Sequence, residues 1–301
     1  MATNLNNYLD DFKRFSRLDP VVKEDMLREL HTHLEDRSQE LKDSGFSEEA
    51  ATEVAVSCLG SPQIIARQIY EVYSQGTWRQ AFLAALPHFI VASLFALRAW
   101  HNTTLLSFIL VAVIGVVIYG WWHGKPAWLF PWLGYYFIPV IVAGIMLIYL
   151  PGAWFWLAAV VYIPLALFVL ISVAKETISQ DWLHASVMLL PAPILLGWAL
   201  VLGTDNSFDS VNRQLQDKAS WIAFSFLILA LAVATFIRVG QRWAKAGALL
   251  TPELLVLTLV AIVSHGGIGF WLWMVLALLS TFLLLSPAVL EKTKLIRNGN
   301  K

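Results

Sequence analysis

Residues 104–122 read TLLSFILVAVIGVVIYGWW, nineteen consecutive positions without a charged side chain. At about 1.5 Å of rise per residue, a helix over them nearly matches the ~30 Å hydrocarbon core of a bilayer. Such a run is a membrane crossing rather than the core helix of a soluble domain. Working outward from it, comparable runs follow one another along the chain, and their spacing predicts eight spans: 80–100, 104–122, 128–149, 153–173, 183–202, 219–238, 250–265 and 268–287. The last two are the shortest and read either as two crossings or as one re-entrant hairpin. Composition agrees: the 301 residues are 58% hydrophobic and only 14% charged, where soluble domains carry roughly 25% charge. A water-soluble globule is excluded, and the expected fold class is an all-α, polytopic membrane protein with a helical head.

The formal net charge of zero conceals a split. Residues 1–78 hold 14 acidic and 8 basic residues, a charge of −6, and the remaining 223 hold 7 acidic and 13 basic, a charge of +6. The expected organisation is a helical head over 1–78, a membrane region over 79–290 and a basic tail over 291–301. An acidic head is a poor partner for nucleic acid, which demands cationic contacts to phosphate. Cys58, the single cysteine, forms no intrachain disulfide and suits a reducing cytosol. The first apolar run starts near residue 80, too far along for a cleavable signal peptide.

From Asn4 to Gly76 the spacing is helical, and punctuation divides it into about four segments. Asp19-Pro20 pairs an N-cap with a proline at N1, where the missing N–H costs nothing. The helix it opens is expected to stop at Asp43-Ser44-Gly45. Ser47 caps the next, with Glu48 and Glu49 at the positive end of its dipole. Leu59-Gly60-Ser61-Pro62 reads as a glycine stop followed at once by a serine cap and a proline start. Within the second helix Leu27, Leu30, Leu34 and Leu41 form one buried stripe, with Glu24, Arg28, Glu35 and Glu40 outside. His31 and His33, two apart, point roughly 200° apart on a helix and cannot share one ion, so the expected contacts are the i,i+4 pairs His31/Glu35 and Glu29/His33. No metal is expected.

Tyr8-Leu9, Glu29-Leu30, His33-Leu34-Glu35-Asp36, Gly45-Phe46-Ser47-Glu48-Glu49-Ala50 and Leu59-Gly60-Ser61-Pro62, in that order and spacing, resemble the HAAS signalling domain, also described as a permease prefix domain, of bacterial membrane proteins. The resemblance covers about a quarter of the chain. It implies a small helical cytoplasmic module fused to a membrane region, working with a PadR-type transcriptional regulator or with parts of an ABC transporter. It brings no catalytic residues.

The positive-inside rule orients the spans. With the head in the cytoplasm, that side collects Arg79, Lys125, Lys175, Arg238, Arg242, Lys245, Lys292, Lys294, Arg297 and Lys301, and the far side holds Arg98, Arg213 and Lys218. An even number of crossings then returns the C-terminus to the cytoplasm, and the expected location is a bacterial inner membrane. Of the 14 tryptophans, Trp78, Trp121, Trp122, Trp128, Trp182 and Trp243 fall at inner span ends and Trp100, Trp154, Trp156 and Trp221 at outer ones, as interfacial belts do. Pro87, Pro139, Pro164, Pro191 and Pro193 lie within or near span starts, either as packing kinks or as breaks lining a cavity. Gly120 and Gly124 form a GxxxG at a span end.

Ionisable groups at membrane depth are functional candidates by default, and here nearly all fall at span ends. Arg98 is placed to snorkel outward. Glu253, after Thr251-Pro252, is read in a first helical turn, where the dipole tolerates a carboxylate. His88, His123 and His184 map near the inner interface, either as separate histidines or as a converging proton or metal site. Residues 203–220 read as an external lid or short surface helix around Val211–Leu215. The segment from Arg238 to Lys245, with Arg242 and Trp243, suits anionic lipid headgroups or the acidic head.

No P-loop, nucleophile elbow, HExxH or dinucleotide turn occurs in the sequence. The expectation is therefore a non-enzymatic sensor or regulator with no catalytic residue, cofactor or nucleic-acid partner. Its docking candidates for a cytoplasmic regulator or ATPase, or for self-association, are Glu29, His33, Glu35, Asp36 and Glu40. A transporter or permease subunit is the second reading, and an intramembrane enzyme the third.

Overall fold

The computed structural model describes residues 2–16, 18, 20–148, 155–156, 158–202, 208–264 and 269–299. Among these the chain is helical throughout, with no strand, and it divides into two compact units.

The first unit is Met1–Gln75 together with Val239–Arg242. It contains α1 (Ala2–Phe15), α2 (Pro20–Asp43), α3 (Glu48–Leu59) and α4 (Pro62–Tyr73). Helix α2 packs on α3 and α1 on α4, and α1 also meets α2 and α3. The caps form where the sequence places them. Ser47 Oγ accepts from the Ala50 amide at 3.3 Å and Ser61 Oγ from the Ile64 amide at 3.4 Å. Gly60 turns the chain at φ +85° and ψ −166°, a region essentially confined to glycine that costs a side-chain-bearing residue about 1–3 kcal/mol. Asp19 lies outside the described residues.

Leu34 and Phe12 are fully buried, and Tyr8 and Ala55 close the core around Leu34. Leu27, Leu30 and Leu41 are only half-buried, so the expected stripe is buried at one position of four. Helix α3 runs beside α2 past Lys42 and Ser38, and Leu41 packs on the edge of the Leu34 core, half-covered. Within the same unit Ser74 Oγ donates to the Gly240 carbonyl at 3.1 Å.

Burial pushes the Tyr8 phenol above its ordinary value of 10.0. The folded head therefore holds the neutral form, and that contribution is complete below pH 10 and lost as pH climbs through the raised value. With an environment-sensitive dye on Cys58, which is exposed on α3, the head's melting temperature is expected to fall as pH rises above about 10. Tyr8→Phe is expected to flatten that fall.

The second unit is Gly76–Arg238 with Trp243–Lys301. Its helices are α5 (Trp78–Ala96), α6 (Thr103–Trp122), α7 (Leu129–Ile148), α8 (Ile163–Gln180), α9 (Trp182–Leu189), α10 (Pro191–Leu202), α11 (Phe208–Arg238), α12 (Arg242–Val263) and α13 (Phe270–Gly299). Among the described residues seven helical stretches are long and apolar enough to cross a membrane, α9 and α10 counting as one, and the shorter apolar stretch Leu129–Val140 lies in α7. Phe108, Val111, Phe168, Leu231, Leu255 and Phe282 sit exposed within these helices. Water would penalise so much uncovered apolar surface; lipid does not. The chain is a multi-pass, all-α membrane protein.

Helices α5 and α11 make the most extensive pairing of the unit. Ala81, Ala84, Ala85 and Ala92 of α5, and Ala219, Ala223, Ala230 and Ala232 of α11, are buried. Small side chains let two backbones approach closely, which is what holds helices together where lipid is as apolar as leucine. Pro87 within α5 removes the amide that would bond the Leu83 carbonyl. The Trp132 indole donates to that carbonyl instead, at 2.9 Å. Likewise Pro287 releases the carbonyl of Leu283, which accepts from Ser286 Oγ at 3.0 Å.

Three expectations are corrected here. The external segment does not form a separate lid or surface helix: from Phe208 it runs without a break into α11, a single helix of 31 residues. Residues 203–207 lie outside the described ones. The last two spans, by contrast, agree with the two-crossing reading and not with the hairpin, since α12 has 22 residues and α13 a crossing-length stretch of 20. Gly124 lies beyond the end of α6 at φ +85°, so the GxxxG is not a helix face; Gly120 alone packs, with no room for a methyl before Leu129. Glu253 is not in a first turn. Helix α12 starts at Arg242, and Pro252 lies inside it.

Candidate functional site

In the head, the candidate residues are carried by α2. Glu29, His33, Asp36 and Glu40 fall within about 60° of one another at 100° per residue and are exposed, on the side away from Leu34. Glu35 lies on the neighbouring flank with His31. Both expected helical pairs form, His31 Nδ1 to Glu35 at 3.3 Å and His33 Nε2 to Glu29 at 3.9 Å. Arg37 adds a hydrogen bond to Glu40 at 2.7 Å. Exposed pairs of this kind are worth well under about 1 kcal/mol and leave the carboxylates available to a partner. The structure adds a polar groove of about 620 Å³ across α1, α2 and α3, bordered by His31, Glu35, Asp36, Lys42 and Glu48. No sequence period marks it, because its walls come from three helices.

The basic segment separates into different environments. Arg238 donates to the Gly76 carbonyl at 2.8 Å and lies 4.6 Å from the centre of the Trp78 ring. Arg242, in the head unit, lies 5.5 Å from the centre of the Tyr70 ring. Trp243 is 84% exposed, as an interfacial anchor is. Lys245, in the first turn of α12, is buried with its ammonium 5.2 Å from the centre of the Phe236 ring instead of turning to headgroups.

In the membrane unit the three histidines go to different aromatic partners. His88 stands edge-on to Tyr135 with ring centroids 5.1 Å apart, His184 stacks on Phe130 at 4.2 Å, and His123 stacks on Tyr119 at 4.0 Å. Among the described residues no group of three His, Cys, Asp or Glu side chains converges on one point. No family model, curated protein or solved structure matches this chain.

The residue that the sequence reading misplaced is the most conspicuous in the unit. Glu253 is completely buried midway along α12, and its Oε1 accepts from Ser280 Oγ of α13 at 2.8 Å. A proline immediately before a carboxylate is the usual sign of a helix start, and here it misleads because α12 had begun three turns earlier. Lys218 of α11 donates to the Val263 carbonyl at 2.8 Å, meeting one of the acceptors left over at the end of α12. Ser186 of α9 donates to the Leu284 carbonyl of α13 at 2.6 Å. These interhelical bonds are worth about 0.6 kcal/mol each on average within membranes.

Proposed function

We propose that this chain is a non-enzymatic membrane regulator whose head docks a protein partner in the cytoplasm of a bacterial cell. The observation that carries this reading is the exposed stripe Glu29, His33, Asp36 and Glu40, flanked by Glu35, on a helix whose opposite side is committed to the head's core. A docking surface needs charge held in a fixed array by a rigid element, and α2 supplies one. The likeness of the head to HAAS signalling domains points to a PadR-type transcriptional regulator or an ABC-transporter ATPase as the partner. The ten-to-three excess of Lys and Arg on one side of the spans supports cytoplasmic placement of both ends.

The test is purification of the full chain in mild detergent followed by mass spectrometry, beside the triple variant Glu35→Lys, Asp36→Lys, Glu40→Lys. A regulator or ATPase is expected with the native chain, released progressively by salt, and lost by tenfold or more from the variant. Equal recovery with both would sink the docking reading. One observation favours a second reading, a transporter or permease subunit: Glu253, a carboxylate buried among the spans, is the kind of group that marks an ion or proton path.

A further inference from the structure

Four polar side chains of the membrane unit, Asp181, Ser186, Ser280 and Glu253, have 1% or less of their surface exposed. Asp181 caps the start of α9, accepting from the Leu183 amide at 3.1 Å. Ser186, further along α9, donates to the Leu284 carbonyl of α13. Ser280 lies one turn from Leu284, about 6 Å along the same helix, and donates to Glu253 Oε1 of α12. Successive crossings alternate in direction, so α9 and α12 start on one side of the membrane and α13 ends there. The four side chains therefore descend as a row from that side to the middle of α12. At its foot Glu253 Oε2 is buried with no hydrogen-bond partner, and among the described residues no cation pairs with the carboxyl group.

We propose that Glu253 is a proton-binding site, loaded and emptied along Asp181, Ser186 and Ser280 from the side where α9 starts, with Oε2 taking the proton. The proposal rests on the second reading above, the buried carboxylate as part of a proton path, and is independent of the docking stripe on α2. Binding turns the carboxylate into the acid, release returns the proton to the water at the start of α9, and no other bond changes. Each part follows from the surroundings. A glutamine would offer Ser280 the same acceptor; what a carboxyl group alone adds is a proton that can leave. A metal cation would need about six oxygen ligands, and among the described residues no group of three His, Cys, Asp or Glu side chains converges here. A proton needs one oxygen. Other charges are remote. Helix α10 and the crossing stretch of α13 carry no ionisable side chain. Lys245 of α12 lies about 12 Å before Glu253 along the helix axis, and Lys218 of α11 is tied to the Val263 carbonyl about 15 Å beyond it. Asp181 and His184 stand at the start of α9, the outer end of the row. Polar side chains at membrane depth are retained where they serve a function, and this row connects the one buried carboxyl group of α12 to the membrane surface.

The experiment is infrared difference spectroscopy on the purified full chain in dodecyl maltoside, a detergent without a carbonyl, reading the C=O stretch of a protonated carboxylic acid. The native chain is expected to show a band that shifts when water is exchanged for heavy water, vanishes as pH is raised and is missing from Glu253→Gln. Ser280→Ala gives a second assignment: the band is expected to stay and to move to higher frequency, because the lost hydrogen bond no longer weakens the C=O. Asp181→Asn, which keeps the cap, and Ser186→Ala are each expected to slow the deuterium shift by roughly tenfold or more, the scale on which a positioned group speeds proton transfer. The final size of the band is expected to stay the same in both. Thr258→Ala, which removes a hydroxyl on the exposed side of α12, is expected to exchange at the native rate. No band at any pH, or a band that neither exchanges nor titrates, would overturn the proposal together with the reading it rests on. A band that titrates but exchanges at the native rate in both Asp181→Asn and Ser186→Ala would overturn the proposal, whose route is then wrong, and leave that reading standing.

Discussion

Replacing Leu34 with aspartate is expected to unfold the head while the membrane-spanning helices stay formed. Leu34 has no exposed surface and sits where Tyr8 of α1 and Ala55 of α3 meet α2. Removing a leucine from such a position costs about 2–5 kcal/mol through lost transfer energy and the cavity left behind. A carboxylate there adds the cost of a buried charge without a partner. A unit of about 75 residues holds roughly 4–11 kcal/mol in total, so the loss matches or exceeds its stability. The dye on Cys58 reads the result: the cooperative transition of the native head is expected to vanish in Leu34→Asp. Leu34→Met, which keeps the volume, is expected to cost less than about 1.5 kcal/mol and to retain the transition. An unchanged melt for Leu34→Asp would mean that α2 turns a different face to its neighbours.

That Leu34 would be buried was legible from spacing alone, and so were Ser47, Gly60, Ser61 and Pro62 as helix boundaries. Caps and amphipathic periods are local: the residues that satisfy a helix end lie within four positions of it. The apolar runs were legible for a related reason, since hydrocarbon thickness sets their length. Other features were not. Leu27, Leu30 and Leu41 share Leu34's stripe, yet how much of each is covered depends on the side chains that α1 and α3 bring to it, which no period in α2 encodes. Pro252 and Glu253 form a good local imitation of a helix start, and the rule is overridden because a span can carry a proline where surrounding groups re-satisfy its backbone. Asp217 and Lys218 look like loop residues beside an apolar run, yet both belong to α11, and Lys218 reaches the end of α12. The buried Tyr135 hydroxyl, without a hydrogen-bond partner, had no signature, because an unmet group becomes visible only once its neighbours are in place.

Those neighbours also decide what a glycine is for, and a single methyl group at position 134 is expected to damage the membrane unit. A Cβ built on Gly134 of α7 would lie 2.3 Å from the Met188 carbonyl oxygen of α9 and 3.2 Å from Pro191 Cγ. The first obstacle is backbone, which cannot swing aside as a side-chain tip can. Met188 is held on both sides by Leu183, Val187 and Leu190, none of which has exposed surface. Helices α7 and α9 must therefore separate, and in lipid no hydrophobic force returns the contact that separation loses. Gly134→Ala is expected to cost about 3 kcal/mol, the upper end of what overpacking costs, and Gly134→Val more. The control is Gly115 in α6, where a Cβ meets nothing within 4 Å. There the same exchange only relieves glycine's entropy cost within a helix, so Gly115→Ala is expected to be neutral or to stabilise by up to about 1 kcal/mol. Denaturation in mixed dodecyl maltoside and dodecyl sulfate micelles, followed by circular dichroism, measures both. Opposite signs at 134 and 115 are the expected result; equal, small effects at both would mean that α7 and α9 do not cross at Gly134.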